Sequence, residues 1–248
     1  KGFIVYQPHI PQELIDQAHT SVEAHFNLAN FQILQVRTAL IIAQALGRAL
    51  IMPQLWCGMD RWWAPHKGRI PSSSTKFQLP YMCPMDHLFE VDTMLRKQDE
   101  AHFGPIIDFR EYSFLDNPRT PAEVKESRVV IDICSASDEG CSKDPSSSDS
   151  SIKVPSQLND AEVKDIFGRY KDKKILEFTS MSKELFAGWV EELDDKKFRR
   201  RTLNYLSIWC CKHAHPGHIW YDMWWDVIPH IDRHNRNFDK EWTPITGP

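Results

Sequence analysis

Nowhere in this sequence do apolar residues run for the roughly 20 positions that a membrane-spanning helix requires. A basic excess is missing as well. Lys and Arg number 30 against 34 Asp and Glu, a net charge of -4, whereas a nucleic-acid binder shows a basic face. The one dense basic run, Lys196 to Arg201, follows the acidic Glu191 to Asp195, and the pair reads as a solvated, self-compensating helix surface rather than a phosphate-binding patch. There is no Gly-rich phosphate loop and no Gly-x-Ser-x-Gly nucleophile turn. No two aspartates stand as Asp-x-Asp, the spacing that holds a divalent cation against a nucleotide diphosphate. The sequence therefore offers no complete catalytic apparatus. Asn-x-Ser/Thr sequons are absent, so glycosylation says nothing about compartment. No initiator Met precedes Lys1-Gly2, which lead straight into Phe3-Ile4-Val5-Tyr6. The expectation is a piece of something longer, with any signal or anchor upstream.

What is present is ordinary for a globular chain: 248 residues, 42% hydrophobic and 26% charged. That length suits one large α/β domain, or one domain with an appendage. Six cysteines (Cys57, Cys83, Cys134, Cys141, Cys210 and Cys211) are compatible with disulfides in a secretory compartment.

Periodicity predicts a helix over Val22–Leu46, with Phe26, Ile33, Leu40 and Ala43 recurring at helical spacing. Gly47 stands where a left-handed cap belongs. Ala49 to Met52 reads as a short buried strand stopped by Pro53, and further strands are expected at Arg128–Ile133 and Lys174–Phe178. A helix is expected from Asn159 to Tyr170, with Asn159 as N-cap ahead of Glu162. Helices alternating with β-branched strands point to an α/β fold, a Rossmann-like parallel sheet flanked by helices. The Ser-rich, acidic stretch 135–151 is a loop or disordered insert, tethered at best by Cys134 and Cys141. It divides the domain into a front part, 1–134, and a back part, 152–248, which ends in an irregular Trp/His-rich tail.

Two clusters could carry chemistry. After the Ala49–Met52 strand come Trp56, Cys57, Asp60, Arg61, Trp63 and His66, in a loop at the carboxyl end of a strand, where α/β proteins place ligand groups. Indole faces stack on sugars, and Asp and Arg bind hydroxyls or phosphates directionally. The bland alternative is a Trp-anchored loop with a structural Asp60–Arg61 pair. Next come Cys83, Asp86, His87 and Glu90. There His87 could shuttle a proton or act as a ligand, whereas Asp86 reads better as N-cap of a helix starting at His87, with Glu90 completing a capping box. A Cys57–Cys83 disulfide would pin both loops. Zinc readings on Cys57, His66, Cys83 and His87, and on Cys210, Cys211, His213, His215 and His218, have suitable ligand types; in the first set, however, the Cys57-to-His66 gap is wider than usual.

His25-Phe26, Gln35 to Leu40, Leu46 to Pro53, Cys57 to Asp60, Trp63 to His66 and Cys83 to His87, in that order, resemble the carboxy-terminal region of plant and algal glycosyltransferase family 77, in its hydroxyproline-linked arabinosyltransferase branch. The likeness is dense over His19 to Val91 and thin afterwards. It implies a type II membrane parent facing the Golgi lumen, transferring arabinose from a UDP-sugar donor onto hydroxyproline-linked arabinosides of cell-wall glycoproteins such as extensin. The parent's upstream domain would bring the Asp-x-Asp, the divalent cation (Mn) and the sugar nucleotide, leaving no cofactor within this chain. On that reading His25, Arg37, Trp56, Asp60, Arg61, Trp63, His66 and His87 line a groove for a glycan or glycopeptide acceptor. Arg37 needs a partner if buried, and Asp60 is the candidate. A weaker likeness to protein O-fucosyltransferases rests on Gln35, Arg37, Leu46-Gly47-Arg48 and the strand after them. It leaves two alternatives, a self-contained fucosyltransferase-like enzyme and a non-catalytic carbohydrate-binding or scaffolding module. No nucleic-acid partner is expected, and membrane attachment only through an upstream anchor.

Overall fold

A computed structural model describes residues 2–59, 74, 78–135, 137–210, 218–221 and 223–224. In chain order its strands are β1 (Phe3–Tyr6), β2 (Ala49–Ile51), β3 (Leu55–Cys57), β4 (Tyr81–Cys83), β5 (Phe109–Arg110), β6 (Arg128–Cys134), β7 (Ser151–Pro155), β8 (Leu158–Asn159), β9 (Ile175–Phe178), β10 (Phe186–Gly188), β11 (Ile208–Cys210) and β12 (His218–Trp220). Its helices are α1 (Gln12–Gln17), α2 (Val22–Leu46), α3 (Val91–Leu95), α4 (Glu100–Phe103), α5 (Ala122–Glu126), α6 (Asp160–Gly168) and α7 (Glu192–Thr202). None of the described helices is long and apolar enough to cross a membrane. Two compact units share the chain. The first takes Lys1–His9, Gln35–Pro53 and Lys97–Phe198, and the second takes Ile10–Leu34, Gln54–Arg96 and Arg199–Pro248.

The first unit is built on a six-stranded sheet in the order β5-β2-β1-β9-β6-β7, with every neighbouring pair parallel. Parallel strands covered on both faces need apolar side chains on both, and Phe3, Ile4, Leu50, Ile51, Ile175, Leu176 and Phe178 are all buried. On one face Phe3, Ala49, Ile51 and Ile175 pack with Val5, Phe114, Leu115 and Val124. On the other, Phe178 meets Phe167 of α6 edge to face at 5.3 Å. The α6 start is the capping box that its spacing predicts. Asn159 accepts the Glu162 N–H and the Glu162 carboxylate accepts the Asn159 N–H, each at 2.9 Å. Beyond the other end of α6, the buried Arg48 guanidinium donates to the carbonyls of Tyr170 (2.8 Å) and Lys173 (2.9 Å).

Helix α2 has the expected bounds, and Gly47 follows it at φ 61°. Such a helix, apolar nearly all round, is a core helix. Two of its buried polar side chains in the first unit grip backbone. Gln35 donates to the His9 carbonyl at 3.4 Å and Gln44 to that of Pro105 at 3.1 Å.

Of the two readings of the Ser-rich stretch, the structure takes the loop. A Cys134–Cys141 disulfide closes it, Cys141 bridges to Lys153, and the Tyr170 hydroxyl donates to the Ser146 carbonyl at 2.7 Å. Arg169 pairs with Asp144 and Lys143 with Glu162. Strands from before and after this loop lie in the one sheet. In the tail, β11 pairs antiparallel with β12.

Two local expectations are corrected. Helix α7 is not simply a solvated surface: Lys196 pairs with Glu192 at 2.8 Å, but Arg201 is 1% exposed and the Arg199 guanidinium lies 4.4 Å over the Trp224 ring. A planar guanidinium stacks on an indole where an ammonium would stay hydrated. Nor does Asp86 cap a helix. Pro84 precedes a short 3-10 turn at Met85–His87 without a side-chain cap, and Glu90 itself stands at the N-cap of α3. Proline supplies the fixed φ that starts the turn a residue earlier.

Candidate functional site

The second unit holds the root of the aromatic loop. Strands β3 and β4 pair antiparallel, Leu55 against Cys83 and Cys57 against Tyr81, and a Cys57–Cys83 disulfide spans 26 positions of sequence. A cross-link closing a loop of that size stabilises by about 3–4 kcal/mol, chiefly by restricting the unfolded chain. Both thiolates are consumed, which dissolves the first zinc set.

Ser21 opens α2, its hydroxyl accepting the Ala24 N–H at 3.0 Å. Two turns of this helix then hold the loop by its backbone. Gln32 accepts the Trp56 N–H at 2.8 Å and donates to the Trp56 carbonyl at 2.9 Å. His25, fully buried, accepts the N–H groups of Gly58 and Met59 on Nδ1 at 3.1 and 3.2 Å. Two donors aimed at one ring nitrogen require its lone pair, so the imidazole is neutral with the proton on Nε2. That proton is donated to the Tyr221 hydroxyl, 2.7 Å away. Tyr221 also stacks on Phe26, with ring centroids 4.9 Å apart. Gly58 cannot be replaced without movement, because a Cβ there would lie 2.0 Å from the Ala18 carbonyl oxygen.

The second wall is a chain crossing. Residues 205–207 run beside 88–90: the Glu90 N–H donates to the Tyr205 carbonyl at 2.8 Å, and the Ser207 N–H to that of Leu88 at 2.9 Å. From Ser207 the Tyr221 N–H is held at 3.3 Å. Burial pushes the Tyr205 phenol up, while the neighbouring Arg201 charge and its hydrogen bond pull the other way. His87 sits edge-on to Tyr81 at 6.0 Å, with the Asp86 carboxylate 3.6 Å from its Nδ1.

Of the eight residues expected at the site, His25, Trp56 and His87 belong to this unit, and Arg37 is half-buried on the part of α2 in the first unit. Asp60, Arg61, Trp63 and His66 lie outside the described residues, as do the Arg37–Asp60 pairing and Cys211, His213 and His215 of the second zinc set. Among the described residues no group of three or more His, Cys, Asp or Glu side chains could hold a metal ion. Sequence reasoning missed Gln32, Tyr221 and Arg201. For Gln32 a signal existed: seven residues after His25, it falls on the same helix face two turns on.

Compared with known proteins, the chain is 43% identical over 230 residues, 92% of its length, to Arabinosyltransferase XEG113 of Arabidopsis thaliana. The chain spans about a third of that relative, 35% of its length. No family model and no solved structure matches. The resemblance carried by the motifs between His19 and Val91 is therefore shown over nearly the whole chain.

Proposed function

We propose, on the premise that this chain is a relative of an arabinosyltransferase, that it is the carboxy-terminal portion of a glycosyltransferase of cell-wall glycoproteins. The reading is carried by the 43% identity over 92% of the chain. In this reading the parent protein resides in the Golgi as a type II membrane protein and moves arabinose from a UDP-sugar to hydroxyproline-linked arabinosides. The two disulfides support an oxidising compartment. An upstream domain would hold the divalent cation and the nucleotide, and no metal chemistry is placed on the described residues of this chain.

The acceptor is bound by the residues that follow Met59 in sequence. Trp63 supplies a stacking face, Asp60 and Arg61 supply directional hydrogen bonds, and His66 lies beyond them in sequence. His25 acts as a positioning residue for Gly58 and Met59, immediately before them, since both its nitrogens are engaged inside the protein. In the full-length protein, replacing Asp60 and Trp63 together by Ala should lower arabinosyl transfer about tenfold or more, with the circular dichroism spectrum unchanged. Transfer at the parent rate would sink the groove assignment. A fluorescent full-length fusion found outside the Golgi would overturn the location.

A further inference from the structure

Parallel pairing sets Tyr6, Phe178 and Ile131 abreast on β1, β9 and β6. One residue further stand Gln7 and Thr179, just past the ends of β1 and β9, and Asp132 within β6, which runs on through Ile133 and Cys134 beside β7. The alignment persists there: the Gln7 N–H donates to the Phe178 carbonyl at 3.1 Å, and the Thr179 N–H to that of Ile131 at 3.0 Å. Side chains alternate along a strand, so these three rise on the face of Val5, Glu177 and Val130. Phe114, Leu115 and Val124 cover that face lower down, around Phe3, Ile51 and Ile175. Above them Gln7 is exposed, and Thr179 and Asp132 are only half-buried. The strand order also reverses here. β1 leads to β2 on one side, β6 leads to β7 on the other, and β9 ends between them. Ligands of parallel α/β sheets gather outside the carboxyl ends of the strands at such a reversal.

We propose that this edge binds the hydroxyl groups of a neutral sugar through Gln7, Thr179 and Asp132. The Thr179 hydroxyl donates to Asp132 Oδ1 at 2.5 Å, which fixes the carboxylate in the row. An ionised carboxylate accepts about four hydrogen bonds, and that one is the only one the Asp132 side chain receives among the described residues. Its remaining capacity suits two adjacent hydroxyls, and Gln7 adds an amide donor and acceptor beside them. A phosphate fits poorly. The cation abreast of Asp132, Lys153 on β7, faces a carboxylate that would repel the anion. Adjacent hydroxyls occur both in a glycan and in the ribose of a nucleotide. Arabinose as the sugar of interest rests on the proposed function; the site itself does not.

Saturation-transfer NMR on the whole chain separates the sources, with an arabinofuranose oligosaccharide in one arm and uridine in the other. Transfer to either sugar is expected, weakened about tenfold in affinity by Asp132→Ala. Gln7→Ala, at an exposed position that the fold does not need, should weaken it in the same direction. Signal with the oligosaccharide assigns a glycan subsite, and signal with uridine alone assigns a ribose subsite. No signal in either arm, or signal that both variants leave unchanged, overturns the proposal. A transfer assay indifferent to Asp60 and Trp63 would sink the groove and leave this result standing.

Discussion

His25 shows how one side chain can fix a loop without touching a ligand. Its Nδ1 satisfies two buried backbone N–H groups at the first residues after β3. Leaving such groups without a partner costs about 1–3 kcal/mol each. His25→Ala should therefore lower stability by about 3 kcal/mol, read as a shift of the urea midpoint. His25→Asn places an amide oxygen near the position of Nδ1 and should recover about half of that loss, whereas His25→Gln reaches toward Tyr221 instead. If Asn is no better than Ala, the two N–H groups are not what His25 is there to hold. At this scale the sequence is only half legible. His25 is conspicuous as a histidine between apolar neighbours, but its partners are backbone groups, which carry no residue identity to read. Arg201 hid for a different reason: it sits in a charged run, yet it is buried and hydrogen-bonded to Tyr205, which follows the end of α7.

Among the elements, α2 and α6 were readable because everything that makes them is local: apolar period, capping residues, a glycine at the end. The β3–β4 pair was not, since its strands are three residues each and 23 residues separate Cys57 from Tyr81. Helix α6 also carries a pH-dependent contribution. Burial pushes the Asp160 carboxyl up, but the Lys164 ammonium at 2.7 Å and the Val190 N–H at 2.8 Å outweigh it and hold the group below the usual carboxylate range. A depressed folded-state value stabilises above the unfolded one, near 4 for Asp, and that stability is lost as pH falls through the folded value. Asp160→Asn should thus cost about 1–2 kcal/mol at pH 7, and the two proteins should converge as pH drops below about 4. A difference that stays constant across that range would show that the charge is not responsible.

For the molecule as a whole, the class of fold follows from helices alternating with β-branched strands, but the strand order does not. β9, last of the six strands in the chain, enters between β1 and β6, a choice made by packing between segments more than 40 residues apart. The proposed function places the sugar nucleotide and the divalent cation in an upstream domain, so on that proposal an assay of this chain alone should show no arabinosyl transfer. Turnover of a UDP-arabinose donor by the purified chain would mean that the reacting groups lie within it.

The grip of α2 on its surroundings has an evolutionary side. His25, Gln32, Gln35 and Gln44 all hold main-chain atoms, of Gly58 and Met59, Trp56, His9 and Pro105 in turn. Main-chain atoms survive almost any substitution. Apart from Gly58, which has no room for a Cβ, the side chains of those loops can therefore drift, and with them, on the proposed function, the choice of acceptor, while the helix goes on holding the same positions. Relatives that differ in what they recognise are expected to vary in the loops and to keep these four helix residues, a pattern that aligned sequences would show directly.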